Sequence, residues 1–242
     1  MISLFITALK VNSDRRVSVV FPTHNEAAFI DNSVKIALGS KFVKEVIVID
    51  GGSNDGTVAK AKAAGAKVFY QSFRRYPRKG IAMRDGIGCA SGDIIAYMDA
   101  DIMNIDPRMI EKITKPIIDG EADFVKGTFG RKSGRVTEMV AKPLIRVFYP
   151  EYQTFSQPLS GEIAGRREVF RNIRFEDDWG VDVGLLIDIG NMGYRIKEVH
   201  IGYKRHDLKP LEELRTMARQ VAMAILRRAV RDGRFDDGLK KG

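Results

Sequence analysis

The chain has 242 residues, 44% of them hydrophobic, and carries a net charge of +9. This length and apolar content suit one large α/β domain with an ample core. The single cysteine, Cys89, excludes an intramolecular disulfide and a four-cysteine zinc site. No apolar run approaches the ~20 residues that span a bilayer, and residues 1–10 lack the features of a secretory signal. We therefore expect a cytoplasmic protein without stable membrane insertion.

The positive charge favours an anionic partner. Basic residues occur in short groups, without the interleaved aromatic residues of a single-strand binder and without a recognisable recognition helix. We therefore predict that the partners are phosphorylated small molecules and that nucleic acid is not among them.

Apolar runs alternate with helical patterns along the first half of the chain. Strands are predicted at residues 17–21, 45–50, 67–70 and 93–97, and helices at residues 27–38, 57–64 and 81–89. This alternation predicts a mostly parallel sheet flanked by helices, with right-handed crossovers. The glycine-rich dinucleotide fingerprint and the phosphate loop are both missing from the sequence, which removes the main support for redox and P-loop chemistry.

Residues 210–231 place apolar side chains at alternating spacings of three and four residues. This pattern predicts a long basic helix with one apolar seam, packed on the domain or on a second subunit. Because two-fold dimers are the commonest oligomers, we expect a homodimer.

The most informative motif is Asp99-Ala100-Asp101, directly after the fourth predicted strand. Open α/β folds bind ligands at the carboxyl edge of the sheet, and paired carboxylates there suit a divalent cation that bridges diphosphate oxygens. The alternative is that these carboxylates cap the helix predicted near Pro107. A missing glycine and glutamate exclude an EF-hand loop.

Polar side chains also follow the first two predicted strands. Asn25 and Glu26 follow the first strand and Asp50 ends the second, where each can hydrogen-bond a base or a ribose. Helix capping is an equal alternative for Asn25. The neighbouring residues 53–55 are better explained as turn formers.

Three of these segments together resemble the nucleotide-sugar half of a GT-A glycosyltransferase: residues 21–26 (FPTHNE), residues 48–57 (VIDGGSNDGT) and Asp99-Ala100-Asp101. Residues 134–144, 157–162, 180–188 and 205–211 resemble the glucosyl- and mannosyl-3-phosphoglycerate synthases. The resemblance implies a GT-A fold with a C-terminal helical extension. It also implies retaining, metal-dependent transfer of a hexose from UDP-glucose or GDP-mannose to 3-phosphoglycerate or a similar small anionic acceptor.

The resemblance covers residues 17–215 and implies a single domain over residues 1–242. Within it we expect a nucleotide-sugar-binding half at about 17–130 and an acceptor-binding half at about 131–210. Residues 211–242 are expected to form the C-terminal helix and tail.

The resemblance also implies roles on the donor side. The residues expected to bind the donor are Pro22, Thr23, Asn25, Glu26, Asp50, Lys79, Asp99, Ala100 and Asp101. Lys79 would meet the diphosphate, and Asp101 and His206 would ligate Mg²⁺ or Mn²⁺. The ordinary alternatives are solvated surface charge for Lys79 and a surface or satisfied core histidine for His206.

On the acceptor side the resemblance implies two short segments. The residues expected to bind the acceptor are Gly134, Arg135, Val136, Thr137, Ser160, Gly161 and Glu162. A helix start at residues 134–137 suits an anion, although an ordinary helix start has the same composition. Asp182 and Lys79 are the catalytic candidates, with Asp182 orienting the acceptor hydroxyl or receiving its proton.

Two departures from the family pattern affect the acceptor side. Asp182 stands where the family has glutamate, and Leu208 lies in a stretch where the family has an asparagine. Two rival functions follow. One is a transferase of the same fold that acts on a polyprenyl or dolichyl phosphate at a membrane surface. The other is a non-catalytic nucleotide-sugar-binding regulator.

Overall fold

The computed structural model describes residues 16–73, 75–130, 133–205 and 211–235. Seven strands in this part of the chain form one sheet in the order β3-β2-β1-β4-β6-β5-β7. The strands are β1 (Val17–Thr23), β2 (Val43–Asp50), β3 (Lys67–Tyr70), β4 (Ile94–Tyr97), β5 (Phe124–Thr128), β6 (Ile163–Arg166) and β7 (Ile196–His200).

Helices flank this sheet. They are α1 (Ile30–Leu38), α2 (Thr57–Ala63), α3 (Lys79–Cys89), α4 (Pro107–Ile118), α5 (Lys142–Phe148), α6 (Arg167–Arg171), α7 (Val181–Asn191) and α8 (Leu211–Arg231). A π-helical turn at Thr137–Ala141 leads into α5, and a 3₁₀ turn at Pro150–Tyr152 follows it. The predicted strands and helices of the first half are confirmed, with shifts of two or three residues at some ends. No helix in the described ranges is long and apolar enough to cross a membrane.

The sheet is mostly parallel, as predicted, and β6 is its antiparallel member. β6 runs antiparallel to both of its neighbours, β4 and β5. In this register Ile163 pairs with Tyr97, so β6 begins at the edge where β4 ends. The segment before β6 therefore lies beside the Asp-x-Asp motif that follows β4.

Two apolar clusters cover the two faces of the sheet because side chains alternate along each strand. On β1, Val19 and Phe21 face the cluster that contains Val34 of α1. Val20 faces the opposite cluster, which contains Met83 of α3. The site at the carboxyl edge thus rests on a sheet that is packed on both faces.

The predicted apolar seam of the C-terminal helix packs on the chain's own domain. Val221 and Ile225 of α8 are fully buried against Val183 and Ile187 of α7 and against Ile145 of α5. The alternative that placed this seam on a second subunit is therefore not needed to cover it. The homodimer stays a prediction.

The buried Arg228 of α8 forms an ion pair with Asp188 of α7. The Arg228 guanidinium lies 2.6 Å from Asp188 and 2.6 Å from Glu176. It packs over Gly184, where a Cβ would lie only 2.7 Å from Nη2 of Arg228. Three buried or nearly buried charged groups thus compensate one another at the contact between the two helices.

We expect Arg228→Met to lower the free energy of unfolding by about 3 kcal/mol, because two carboxylates lose their buried partner. Arg215→Met is the matched control, since Arg215 is an exposed arginine of the same helix that pairs with Glu212 at 3.1 Å. The control variant should change stability by no more than ~0.5 kcal/mol. Denaturant unfolding of both variants measures this. Equal losses in the two variants would contradict the assignment.

Candidate active site

A cavity of about 1060 Å³ opens at the carboxyl edge of β1 and β4. Most of the site residues predicted from the sequence line it. These are Pro22, Thr23, Glu26, Lys79, Asp99, Ala100, Asp101, Gly134, Arg135, Val136, Thr137, Ser160, Gly161 and Asp182. The fold therefore brings the predicted donor and acceptor segments to one cavity.

Two residues predicted to bind the donor, Asp50 and Asn25, do not line the cavity, and their side chains hydrogen-bond to loop main chain instead. Asp50 is fully buried, and its carboxylate accepts from the main-chain N–H groups of Gly52 at 2.8 Å and Ser53 at 2.9 Å. Asn25, at a φ of 57°, accepts from the N–H of Asn54 at 3.1 Å. These side chains shape the loops beside the cavity, and their contact with a donor stays a prediction.

The capping alternatives are also decided by the structure. Asp106 caps α4 by accepting from the N–H of Arg108 at 2.8 Å, so neither carboxylate of the Asp-x-Asp motif has this role. The residue at the N-cap of α1 is Phe29, so Asn25 does not cap that helix. His206 lies outside the described residues.

Lys79 is placed by the close approach of α3 to the segment before α7. It is the first residue of α3, and Gly80 follows it. A Cβ at position 80 would overlap the main-chain carbonyl of Glu176, so a glycine is required there. This contact brings the Lys79 ammonium to 3.0 Å from the carboxylate of Asp182, in the first turn of α7.

Five charged side chains form a row of alternating sign; Asp182, Lys79, Asp99 and Lys204 line the floor of the cavity, whereas the predicted acceptor residue Glu162 is fully buried behind it. The Nζ of Lys79 lies 3.0 Å from Asp182 and 3.1 Å from Oδ1 of Asp99. The Nζ of Lys204 lies 3.0 Å from Oδ2 of Asp99 and 2.5 Å from Glu162. We call this arrangement the charged row: Asp182, Lys79, Asp99, Lys204 and Glu162.

Burial and pairing set the charges in this row. Burial favours the neutral amine of Lys79, but the carboxylates of Asp182 and Asp99 outweigh it and raise the pKa of Lys79. Burial also opposes ionisation of Asp99, yet Lys79 and Lys204 hold the pKa of Asp99 well below its usual range. Lys79 therefore stays cationic, and Asp99 stays anionic, through the neutral range.

At the two ends of the row burial prevails over pairing. It raises the pKa of Glu162 even though Lys204 opposes the shift. It also raises the pKa of Asp182 against the opposing charge of Lys79. The Oδ1 atom of Asp182 is buried without a hydrogen-bond partner among the described residues. Asp182 thus lines the cavity as a carboxylate with a raised proton affinity and one oxygen that is buried without a hydrogen-bond partner.

Asp101 is the member of the Asp-x-Asp pair with access to a cation. It is half-buried and lines the cavity, whereas Asp99 has a lysine at each oxygen. A carboxylate oxygen in this position suits a hard divalent ion. No group of three metal-ligating side chains occurs among the described residues, so such an ion would take further ligands from elsewhere, substrate oxygens included.

Sequence reasoning missed several residues of the site. Lys204 lies beyond β7 and Lys126 lies inside β5, and no motif marked either of them. The ring of Trp179 lies 5.3 Å from the Nζ of Lys79. Met217 and Gln220 of α8 line the cavity. The one local signal was Lys126, a charged residue within an apolar strand.

Comparisons with known proteins agree with this geometry. The family model of Glycosyl transferase family 2 matches residues 18–180. The glucosyl-3-phosphoglycerate synthase of Petrotoga mobilis is 36% identical, over 96% of this chain and 78% of its own length.

Solved structures of the glucosyl-3-phosphoglycerate synthase of Mycobacterium tuberculosis have the same fold. One, with Mn²⁺, UDP-glucose and phosphoglyceric acid, has a TM-score of 0.84 at 36% identity and covers 91% of this chain and 82% of that one. Another, with Mg²⁺ and UDP, has a TM-score of 0.84 at 37% identity and covers 91% of this chain and 81% of that one. The fold, the cavity and these relatives show that the chain belongs to glycosyl transferase family 2 and is a glycosyltransferase of the GT-A fold.

Proposed function

We propose that this glycosyltransferase moves a glucosyl group from UDP-glucose to the 2-hydroxyl of 3-phosphoglycerate, with a divalent metal and with retention of configuration at the anomeric carbon. The observation that carries the proposal is the meeting of the charged row and the helix start at residues 134–137 in one cavity. Relatives that share about a third of the residues carry the name of this activity. The division into a donor half and an acceptor half is part of the proposal.

The donor side would be held by Lys79, Asp99 and Asp101. The ammonium of Lys79 is a point charge at the cavity, which suits a diphosphate. Asp101, together with His206, would hold Mg²⁺ or Mn²⁺. When bound, the ion would neutralise charge that develops on the departing diphosphate.

The acceptor side would use the helical segment that starts at residue 135. The main-chain N–H groups of a helix start favour an anion. Arg135 and Thr137 add a guanidinium and a hydroxyl to the same wall of the cavity. This combination suits the phosphate or the carboxylate of 3-phosphoglycerate.

In the proposed reaction the bond between the anomeric carbon and the diphosphate oxygen breaks. The acceptor hydroxyl oxygen forms the new bond from the same face of the sugar. Its proton passes to the departing phosphate oxygen or to the unused oxygen of Asp182. Lys79 holds Asp182 in place through the other carboxylate oxygen, so the protein acts mainly by positioning and electrostatics.

The assay that tests this function measures nucleoside diphosphate release by the purified protein. We expect release from UDP-glucose that requires both Mg²⁺ or Mn²⁺ and 3-phosphoglycerate, and that stops when EDTA removes the metal. Proton NMR of the product should show the anomeric configuration of the donor. GDP-mannose and a polyprenyl phosphate serve as the alternative donor and acceptor.

Transfer to the polyprenyl phosphate, with 3-phosphoglycerate inactive, would instead support the membrane-surface rival. Donor binding without transfer to any acceptor would support the regulator. Either result would leave the fold assignment intact and overturn the proposed acceptor.

We expect Asp182→Asn to lower kcat by about 10²-fold, because the amide cannot take a proton from the acceptor hydroxyl. Asp182→Glu is the matched control, since it keeps a carboxylate and has the side chain of the family pattern. That variant should retain more activity than the amide does. Steady-state kinetics with saturating donor measures both, and an asparagine variant with the kcat of the wild-type protein would remove Asp182 from the mechanism.

A further inference from the structure

Lys126 occupies a position where the strand pattern calls for an apolar side chain. It is fully buried in the middle of β5. Side chains alternate along a strand, so Lys126 faces the same side as Phe124. Phe124 packs there in the apolar cluster with Val181 and Leu185 of α7. Inward-facing positions of such a strand normally carry apolar side chains. A buried amine is an exception to this pattern, and such exceptions occur most often at functional sites.

The amine of Lys126 joins two walls of the active-site cavity. Its Nζ donates to the main-chain carbonyl of Ser160 at 3.1 Å and to that of Asp182 at 3.2 Å. Ser160 and the following Gly161 line one wall, and Asp182 lies in the first turn of α7 on another. In the described part of the chain, the strand pairings of the sheet do not join these two segments directly.

These two walls carry the groups whose relative positions matter for the proposed reaction. A Cβ at Gly161 would lie 2.5 Å from Nζ of Lys79 and 2.6 Å from Asp99, so the main chain at this point directly adjoins the charged row. The carboxylate of Asp182 is at the end of the same row. A change in the separation of the two walls would therefore move Asp182 relative to the donor.

We propose that Lys126 is a positioning residue of the transfer reaction, and that its amine fixes the main chains of Ser160 and Asp182 relative to each other. The inference rests on the proposed function, whose reacting groups it aligns. Lys126 acts through these two segments and through its buried positive charge, and it does not itself contact the substrates.

The charge on Lys126 gives the inference a distinctive signature. Burial lowers the pKa of Lys126 to about 8, and the positive charge of Lys79 adds to this effect. Asp182 of α7, Glu162 before β6 and Glu198 of β7 oppose the shift. The neutral amine still has two N–H bonds for the two carbonyls, so the link persists above this pH while the positive charge is lost.

Loss of that charge should slow the reaction. The positive charge of the buried Lys126 stabilises the negative charge that develops on the departing diphosphate. We therefore expect kcat of the wild-type protein to fall as the pH rises through about 8.

The free energy of unfolding should change in the opposite direction and rise with pH. Between about 8 and the ordinary lysine value of 10.5, the unfolded chain binds more protons at this residue, so unfolding becomes less favourable as the pH rises.

The test compares Lys126→Met with Val125→Ala. Val125 is the neighbouring, fully buried residue whose side chain faces the other apolar cluster, so its truncation costs stability without touching the link. We expect Lys126→Met to lower kcat by roughly 10- to 100-fold and to leave KM for UDP-glucose little changed, because misplacement of about 1 Å has effects of this size. The alkaline fall in kcat should disappear in Lys126→Met and persist in Val125→Ala. A Lys126→Met protein with wild-type kcat and an unchanged pH profile would overturn the inference.

A second measurement on the wild-type protein covers the case in which Lys126→Met does not fold. NMR of protein labelled at the lysine Cε carbons should show one lysine with a pKa near 8. UDP with Mg²⁺ should raise that value, because the complex brings net negative charge to the cavity. The inference fails if every lysine titrates near its ordinary value, or if UDP with Mg²⁺ leaves the pKa of the shifted lysine unchanged. This titration needs no transfer to 3-phosphoglycerate, so it also separates a failure here from a failure of the proposed function.

Discussion

The charged row at the floor of the cavity is the constraint on which the rest of the structure depends. Any one of these ions would be expensive to bury alone, and each is compensated by a neighbour of opposite charge. Its members come from the start of α3, the end of β4, the segment before β6, the first turn of α7 and the chain beyond β7. The row is complete only when all five elements are in place.

The antiparallel strand β6 makes this convergence possible. A parallel strand at that position would deliver its following residues to the carboxyl edge, whereas β6 delivers the residues that precede it. Ser160 to Glu162 therefore meet Asp99 at the end of β4. Lys126, on the adjacent strand β5, reaches the same segment from below through the carbonyl of Ser160. The antiparallel strand thus places Ser160 to Glu162 beside Asp99. In a purely parallel sheet, a loop from elsewhere in the chain would have to fill this position.

The C-terminal helix connects stability with the site. Met217 and Gln220 of α8 form part of the cavity wall, and the buried Arg228 binds Asp188 on α7. The same helix α7 carries Asp182 in its first turn. Gly180 and Gly184 allow α8 to approach closely, since a Cβ at either position would lie 2.7 Å from an atom of Ala224 or Arg228. A loss of packing at α8 is therefore transmitted to the Asp182 carboxylate at the cavity.

The sequence by itself determined the alternating strands and helices of the first half, the mostly parallel sheet and the Asp-x-Asp motif at the end of β4. These features depend on apolar periodicity and on residues that are neighbours along the chain. Only the tertiary structure decided that β6 is antiparallel, that Asp50 serves its own loop, and that Lys126 and Lys204 belong to the site. The partners of Lys126 and Lys204 lie 34 to 105 residues away along the chain. Such pairings follow from strand order, which no local pattern encodes.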